Sequence, residues 1–280
     1  MRPAIMSRAP RFCFMSLLLV GLGQQALMAD PVRPETGPWI PDVLMWRLEA
    51  QGWTGRYRWN SCAPSQALSL LAVSAAMAPS DTLDVQARFS LMKGPHQKWN
   101  WDVFQLYARD LFWDEYQGDL FSAALGGVLT FGSNRSVHQP AEFVPSNVNG
   151  EVQLSAGREW SRCANWWLRT DLLGGVGLAN QGGPWFRGYA QIAAQLAGRH
   201  SLGFALEAIR TTGSHDVFKR HFGGSYALRK AHWLDGWLEY RYEHPIWGAL
   251  ALQWQHRFVA VAAPQQLNLG NVCLTYSTSL

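Results

Sequence analysis

Between residues 83 and 91 the side chains alternate without a break: Leu83, Val85, Ala87, Phe89 and Leu91 are apolar, and Asp84, Gln86, Arg88 and Ser90 between them are polar. Successive side chains of a strand point to opposite sides, so a period of two marks an extended segment with one greasy face. The pattern recurs. Val152, Leu154, Ala156 and Trp160 alternate with Glu151, Gln153, Ser155, Gly157 and Glu159, with Arg158 as the one fault. Leu202, Phe204, Leu206 and Ala208 alternate with Ser201, Gly203, Ala205 and Glu207, and Leu250, Leu252, Trp254 and Phe258 with Ala251, Gln253, Gln255 and Arg257. The same rule predicts strands near 53–61, 66–78, 82–92, 99–109, 117–132, 149–160, 165–178, 184–197, 200–211, 220–230, 236–243, 248–261 and 269–280.

What these strands face follows from composition. The chain is 48% hydrophobic, with 15 Trp, 13 Phe and 8 Tyr, and only 16% of it is charged. Soluble domains carry about 25% charged residues, and a β-sandwich would need that charge on its outward faces. Beyond the first residues there is no apolar run of the roughly 18 residues that a membrane helix requires. Apolar surface is instead spread over alternating strands, which is the pattern of an antiparallel transmembrane β-barrel. Twelve strands are expected, with fourteen as the alternative, because single-chain bacterial barrels use even numbers. The thirteen segments above leave either one that is not a membrane strand or, in 39–49, a fourteenth; 39–49 also reads as a short helix begun by Pro41. Connections alternate between tight ones, such as 78–81 and 198–200, and longer polar ones, of which 132–150 is the longest. Trp53, Tyr57, Trp59, Trp99, Trp101, Trp113, Trp160, Trp166, Trp185, Trp233, Trp237 and Trp247 fall near predicted strand ends, where amphipathic rings would form two girdles at the headgroup levels.

The first 29 residues read as a cleaved signal peptide. Arg2, Arg8 and Arg11 precede the run Phe12–Leu22, which is too short to span a bilayer, and Ala26 to Ala29 supplies small residues before Asp30. Residues 30–52 then form an N-terminal segment and 53–280 the barrel. Cleavage would reduce the 24 basic residues to 21 against 20 acidic ones, so the formal charge of +4 carries no nucleic-acid reading. Cys13 leaves with the signal. Cys62, Cys163 and Cys273 remain, which in an oxidising compartment permits one disulfide, Cys62 to Cys273 being the candidate pair.

Val272, Leu274, Tyr276, Thr278 and Leu280 alternate up to the last residue. This resembles the terminal strand of Gram-negative outer-membrane β-barrel proteins, which often ends on an aromatic rather than on Leu and which the barrel assembly machinery recognises. The resemblance identifies a class, not a specific family. It implies residence in the cell outer membrane, with outer-membrane lipids and that machinery as partners; oligomeric state stays open.

If the polar face of each strand lines the lumen, it carries Asp84, Glu151, Glu159, Asp171, Glu207 and Glu239 against Arg88, Arg169, Arg187, Arg229, Arg241 and Arg257. Six acids against six arginines predict a paired network in a narrow lumen, since charges removed from water need partners. Arg56, Arg58 and Arg109 are less certain members. A wide anion pore would need an excess of arginine. Enzymatic barrels, of the lipid A deacylase or phospholipase type, use a Ser/His pair with a supporting carboxylate or amide. The local candidates are His200-Ser201, in a tight turn, and Ser214-His215-Asp216, in a loop; neither matches a known motif. The histidines show no metal-ligand spacing, and no cofactor is indicated. The leading expectation is a conduit, pore or structural component of the envelope; a lipid-modifying enzyme and an exopolysaccharide export barrel are the alternatives.

Overall fold

Residues 37–40, 42–60, 62–95, 98–139, 143–162, 166–196, 199–213, 226–244 and 248–279 are described in the computed structural model. They form twelve strands: β1 (Met45–Arg58), β2 (Gln66–Met77), β3 (Leu83–Lys93), β4 (Asn100–Trp113), β5 (Ser122–Gly132), β6 (Val148–Arg162), β7 (Trp166–Ala179), β8 (Trp185–Leu196), β9 (His200–Thr211), β10 (His232–His244), β11 (Gly248–Val261) and β12 (Gln266–Ser279). Each pairs antiparallel with its neighbours in sequence, and β1 closes on β12 from Met45–Ser279 to Arg58–Gln266, so the sheet is a barrel with no free edge.

Closure puts the connections 78–82, 114–121, 163–165, 197–199 and 245–247 at one end and 59–65, 94–99, 133–147, 180–184, 212–231 and 262–265 at the other. The two longest share the second end. By the rule of short periplasmic turns and long extracellular loops, that end faces outward from the cell.

The alternation settles which face meets lipid. Leu125, Leu129, Val152, Leu154, Leu172, Val176, Leu202, Phe204, Leu238 and Leu252 are all exposed, on the outside of the barrel. Contiguous apolar surface on this scale is foreign to a soluble monomer. It is the outward band of a membrane barrel, and Leu154 lies at the middle of β6. Replacing Leu154 by Arg is therefore expected to cost about 2–4 kcal/mol, the penalty of a cation near the bilayer midplane. Urea-induced unfolding in lipid vesicles would measure it, and an unchanged midpoint would count against the orientation.

Three expectations need correction. The strands predicted near 53–61 and over 39–49 are one strand, β1, beginning at Met45; nothing helical occupies 42–49. The strand expected over 220–230 is absent where that stretch is described: Tyr226–Leu228 is a single 3₁₀ turn inside the connection 212–231, and 220–225 lies outside the described residues. That leaves twelve strands and makes 212–231, not 132–150, the longest connection. Thirdly, no bond joins Cys62 to Cys273. Cys273 stands opposite Gln51 in mid-barrel, whereas Cys62 follows Arg58 in the loop beyond β1. At about 3.3 Å per residue these places are some 20 Å apart, far beyond the roughly 4.4–6.8 Å between the Cα atoms of a disulfide. Cys163 and the segments read as signal peptide and final residue lie outside the described residues.

The aromatic girdle also needs revision. Trp101, Trp113, Trp160 and Trp166 are exposed on the outer wall, but Trp53, Tyr57, Trp185, Trp233 and Trp237 are buried and face the lumen. Parity shows why. Trp185 shares its face with Arg187, and Trp233 and Trp237 share theirs with Asp235 and Glu239, all of them inward.

Candidate functional site

Eight strands enclose a volume that side chains just fill, and sixteen or more leave an aqueous channel. Twelve lie between, so the lumen's width depends on what projects into it. From mid-height toward the extracellular end an apolar cluster projects: Trp53, Leu70, Met92, Leu173, Tyr189, Trp237, Leu267 and Leu269. The Arg88 guanidinium lies 4.9 Å over the Trp53 ring and donates to Gln51 Oε1 at 2.8 Å.

Toward the extracellular end, charges from five strands form a belt. Arg187 on β8 donates through Nε to Glu151 Oε1 on β6 at 3.0 Å and through Nη1 to Glu207 on β9. Glu151 and Arg187 sit on strands separated by β7 and meet because β7 offers two glycines there. A Cβ on Gly175 would lie 2.5 Å from Glu151 Oε1, and one on Gly177 2.0 Å from the Trp185 ring. Glu151 is further held by Trp185 Nε1 at 3.1 Å and Gln153 Nε2 at 2.9 Å. Glu207 pairs in register with Asp235 on β10. Two neighbouring carboxylates would repel, but each has its own arginine: Arg257 on β11 grips Asp235 through Nε at 2.7 Å and Nη2 at 2.8 Å. Such two-point pairs are the strong form of this contact.

Two loops roof the belt. Phe143, from 133–147, packs against Trp185, Tyr226 and Trp233 with ring centroids 5.8, 5.8 and 5.2 Å away. Arg187 lies 5.7 Å over the Phe143 ring and Arg257 5.0 Å over Trp233. Gln139 of the same loop accepts from Tyr57 Oη at 2.9 Å; since Tyr57 is on β1, the loop reaches across the lumen. The backbone of Ala227 donates to Pro145 O at 3.2 Å, joining the loops. Burial pushes the Tyr226 phenol well above its ordinary value, so it stays neutral. Beneath the roof a small recess is lined by Thr130, Phe143, Asn149, Glu151, Gln153, Trp185 and Arg187.

The periplasmic end is narrowed by the chain's own residues 37–40. Arg109 is paired with Asp84 at 3.0 Å; it also donates to Trp39 O at 2.8 Å and to Gly37 O. Trp39 Nε1 donates to Glu115 Oε1 at 2.9 Å, and Arg169 lies 4.9 Å over the Trp39 indole. Gly157 makes room for that indole, since a Cβ there would come within 2.8 Å of it. Arg169 also pairs with Glu159.

The twelve charged residues expected in the lumen thus fall as follows. Asp84, Arg88, Glu151, Glu159, Arg169, Asp171, Arg187, Glu207, Glu239, Arg241 and Arg257 occupy inward strand positions, and Arg229 is buried in the loop 212–231 rather than on a strand. Glu151, Arg187 and Glu207 come together; Glu159 meets Arg169; Glu239 accepts from Gln253. Asp235 and Arg109 are central partners outside that set, while Arg56 and Arg58 point outward. Asp235 escapes the sequence pattern because the alternation becomes clear only from residue 236, one position after it. Of the hydrolase candidates, Ser201 is buried on the inner face, while His200 accompanies Tyr240 on the outer face, 2.7 Å from its hydroxyl. Opposite faces of one strand cannot serve one substrate; 214–216 lies outside the described residues. Among the described residues no group of three His, Cys, Asp or Glu side chains is placed to hold a metal ion.

No family model matches the chain, and no curated protein matches it by sequence. Solved structures do. An outer membrane channel from Pseudomonas putida F1 superposes with a TM-score of 0.56 at 11% identity, over 88% of this chain and 100% of that one. The KdgM porin gives 0.52 at 11% identity, over 82% and 99%, and the NanC porin 0.53 at 7%, over 83% and 99%. The fold is that of an outer-membrane β-barrel. At such identities the likeness extends to the fold and no further.

Proposed function

We propose that this protein is a narrow conduit of the outer membrane, passing small polar solutes through a lumen of paired charges. One observation carries the proposal: the belt Glu151–Arg187–Glu207 with Asp235–Arg257 lines a closed barrel that is constricted, at both ends, by the chain's own segments. Alternating, mutually paired charges give a polar wall with little net field, so such a lumen discriminates by size more than by sign. Outer-membrane lipids are the partners of the outward apolar band, and the barrel assembly machinery is the agent proposed to insert it.

Recording purified protein in planar bilayers tests this. Small unitary steps are expected, with a reversal potential near zero under a potassium chloride gradient. Electrical silence accompanied by release of acyl chains from phospholipid or lipid A would overturn the conduit in favour of an enzyme.

A further inference from the structure

The outer wall is not uniform at its extracellular rim. On β5 to β8 it stays apolar up to the strand ends, with Leu129, Phe131, Val148, Val176, Leu178 and Phe186 exposed. Across β12, β1, β2 and β3 it does not. Arg56 and Arg58 take successive outward positions at the end of β1, and Lys93 the outward position that ends β3; all three are exposed.

The register brings them together. Thr54 pairs with Ser69 and Ser69 with Lys93, so these three form one row across β1, β2 and β3; Ser69 Oγ donates to Thr54 Oγ1 at 3.3 Å. Arg56 pairs with Asn268 on β12. With strands about 4.8 Å apart and roughly 3.3 Å per residue, Arg56 lies about 7 Å from Arg58 and about 12 Å from Lys93, and Arg58 lies about 16 Å from Lys93. Between β1 and β3 stand the hydroxyls of Thr54 and Ser69 and the small Ala67, while the Asn268 amide flanks Arg56 on the other side. None of the three has a carboxylate partner among the described residues, unlike Arg109, Arg169, Arg187 and Arg257 in the lumen.

Outward cations on a membrane barrel cost little near the interface and more with depth, and the lipid surrounding this rim is that of the outer leaflet. We propose that Arg56, Arg58 and Lys93, with Thr54, Ser69 and Asn268, bind the phosphate groups of an outer-leaflet glycolipid. Arginine suits phosphate through its planar fork, lysine through its point charge, and the neutral hydroxyls and amide add hydrogen bonds to sugar or phosphate oxygens. The proposal rests on the outer-membrane fold and is independent of whether the lumen conducts.

Native mass spectrometry of the purified barrel in detergent tests it, with lipid A and enzymatically dephosphorylated lipid A as probes. Wild type should prefer the phosphorylated form by roughly ten-fold, equivalent to about 1.4 kcal/mol. The variant Arg56→Gln/Arg58→Gln/Lys93→Gln should lose that preference while keeping heat-modifiable gel mobility; should it fail to fold, Arg56→Gln/Arg58→Gln is measured in its place. Arg210→Gln, an outward arginine on β9, should keep the preference. Equal binding of both lipids by wild type, or an undiminished preference in the variants, would overturn the site.

Discussion

Replacing Arg187 by Met is expected to lower the stability of the barrel by about 3–5 kcal/mol, the usual cost of leaving buried charges without their partner. Arg187 is the cation that Glu151 and Glu207 share, and all three side chains are almost completely buried. Beneath the Phe143 and Tyr226 roof these carboxylates cannot turn to bulk water. They must either stay charged and unpaired or take up protons, and both outcomes reduce the free energy of folding. The sharper test is the variant Glu151→Gln/Arg187→Met/Glu207→Gln. Removing the whole set removes the penalty, so most of the lost stability should return. Urea titration with a gel readout of the folded fraction would measure both. Equal melting of wild type and Arg187→Met would show that the belt is wet and its pairs are exchangeable with water.

The second large effect is expected on conductance, and it requires two substitutions. Trp39 narrows the periplasmic end and Phe143 the extracellular end, and two constrictions along one path act as resistances in series. Trp39→Ala or Phe143→Ala alone leaves the other constriction to limit the current. Together they remove two large ring systems, each a contact area of roughly 150–250 Å², and the unitary conductance should rise by more than the sum of the single changes. A double variant no more conductive than the better single would mean that the mid-lumen cluster around Trp53 and Trp237 limits flow instead.

Much of this arrangement is legible in the amino-acid sequence. Period-two alternation in 83–91, 151–160, 201–210 and 250–258 assigns each side chain to lipid or lumen, because a strand leaves no third direction. That is why Asp84, Glu151, Glu207 and Arg257 fall inward as a set, and why a chain with so little charge points to an apolar outer wall. Parity also holds information that strand-end position obscures: Trp185, Trp233 and Trp237 lie on the charged face, and counting in twos from Arg187 and Glu239 places them in the lumen. Position near a strand end locates a residue along the barrel axis but says nothing about which side of the wall it is on.

Closure decided the rest. Which charges pair is set by register between strands, as with Asp235 and Arg257 on the adjoining β10 and β11, or Glu151 and Arg187 across β7. Two β7 glycines, unremarkable in the sequence, make the second of these possible. Loops carry no period to read, so Phe143 in the roof and residues 37–40 at the opposite mouth could not be foreseen. The strand-by-strand sides of this protein were determined by its sequence alone, since they follow from local backbone geometry. Partners, constrictions and the width of the lumen were determined only by the tertiary structure, since they depend on how twelve such strands align when β1 meets β12.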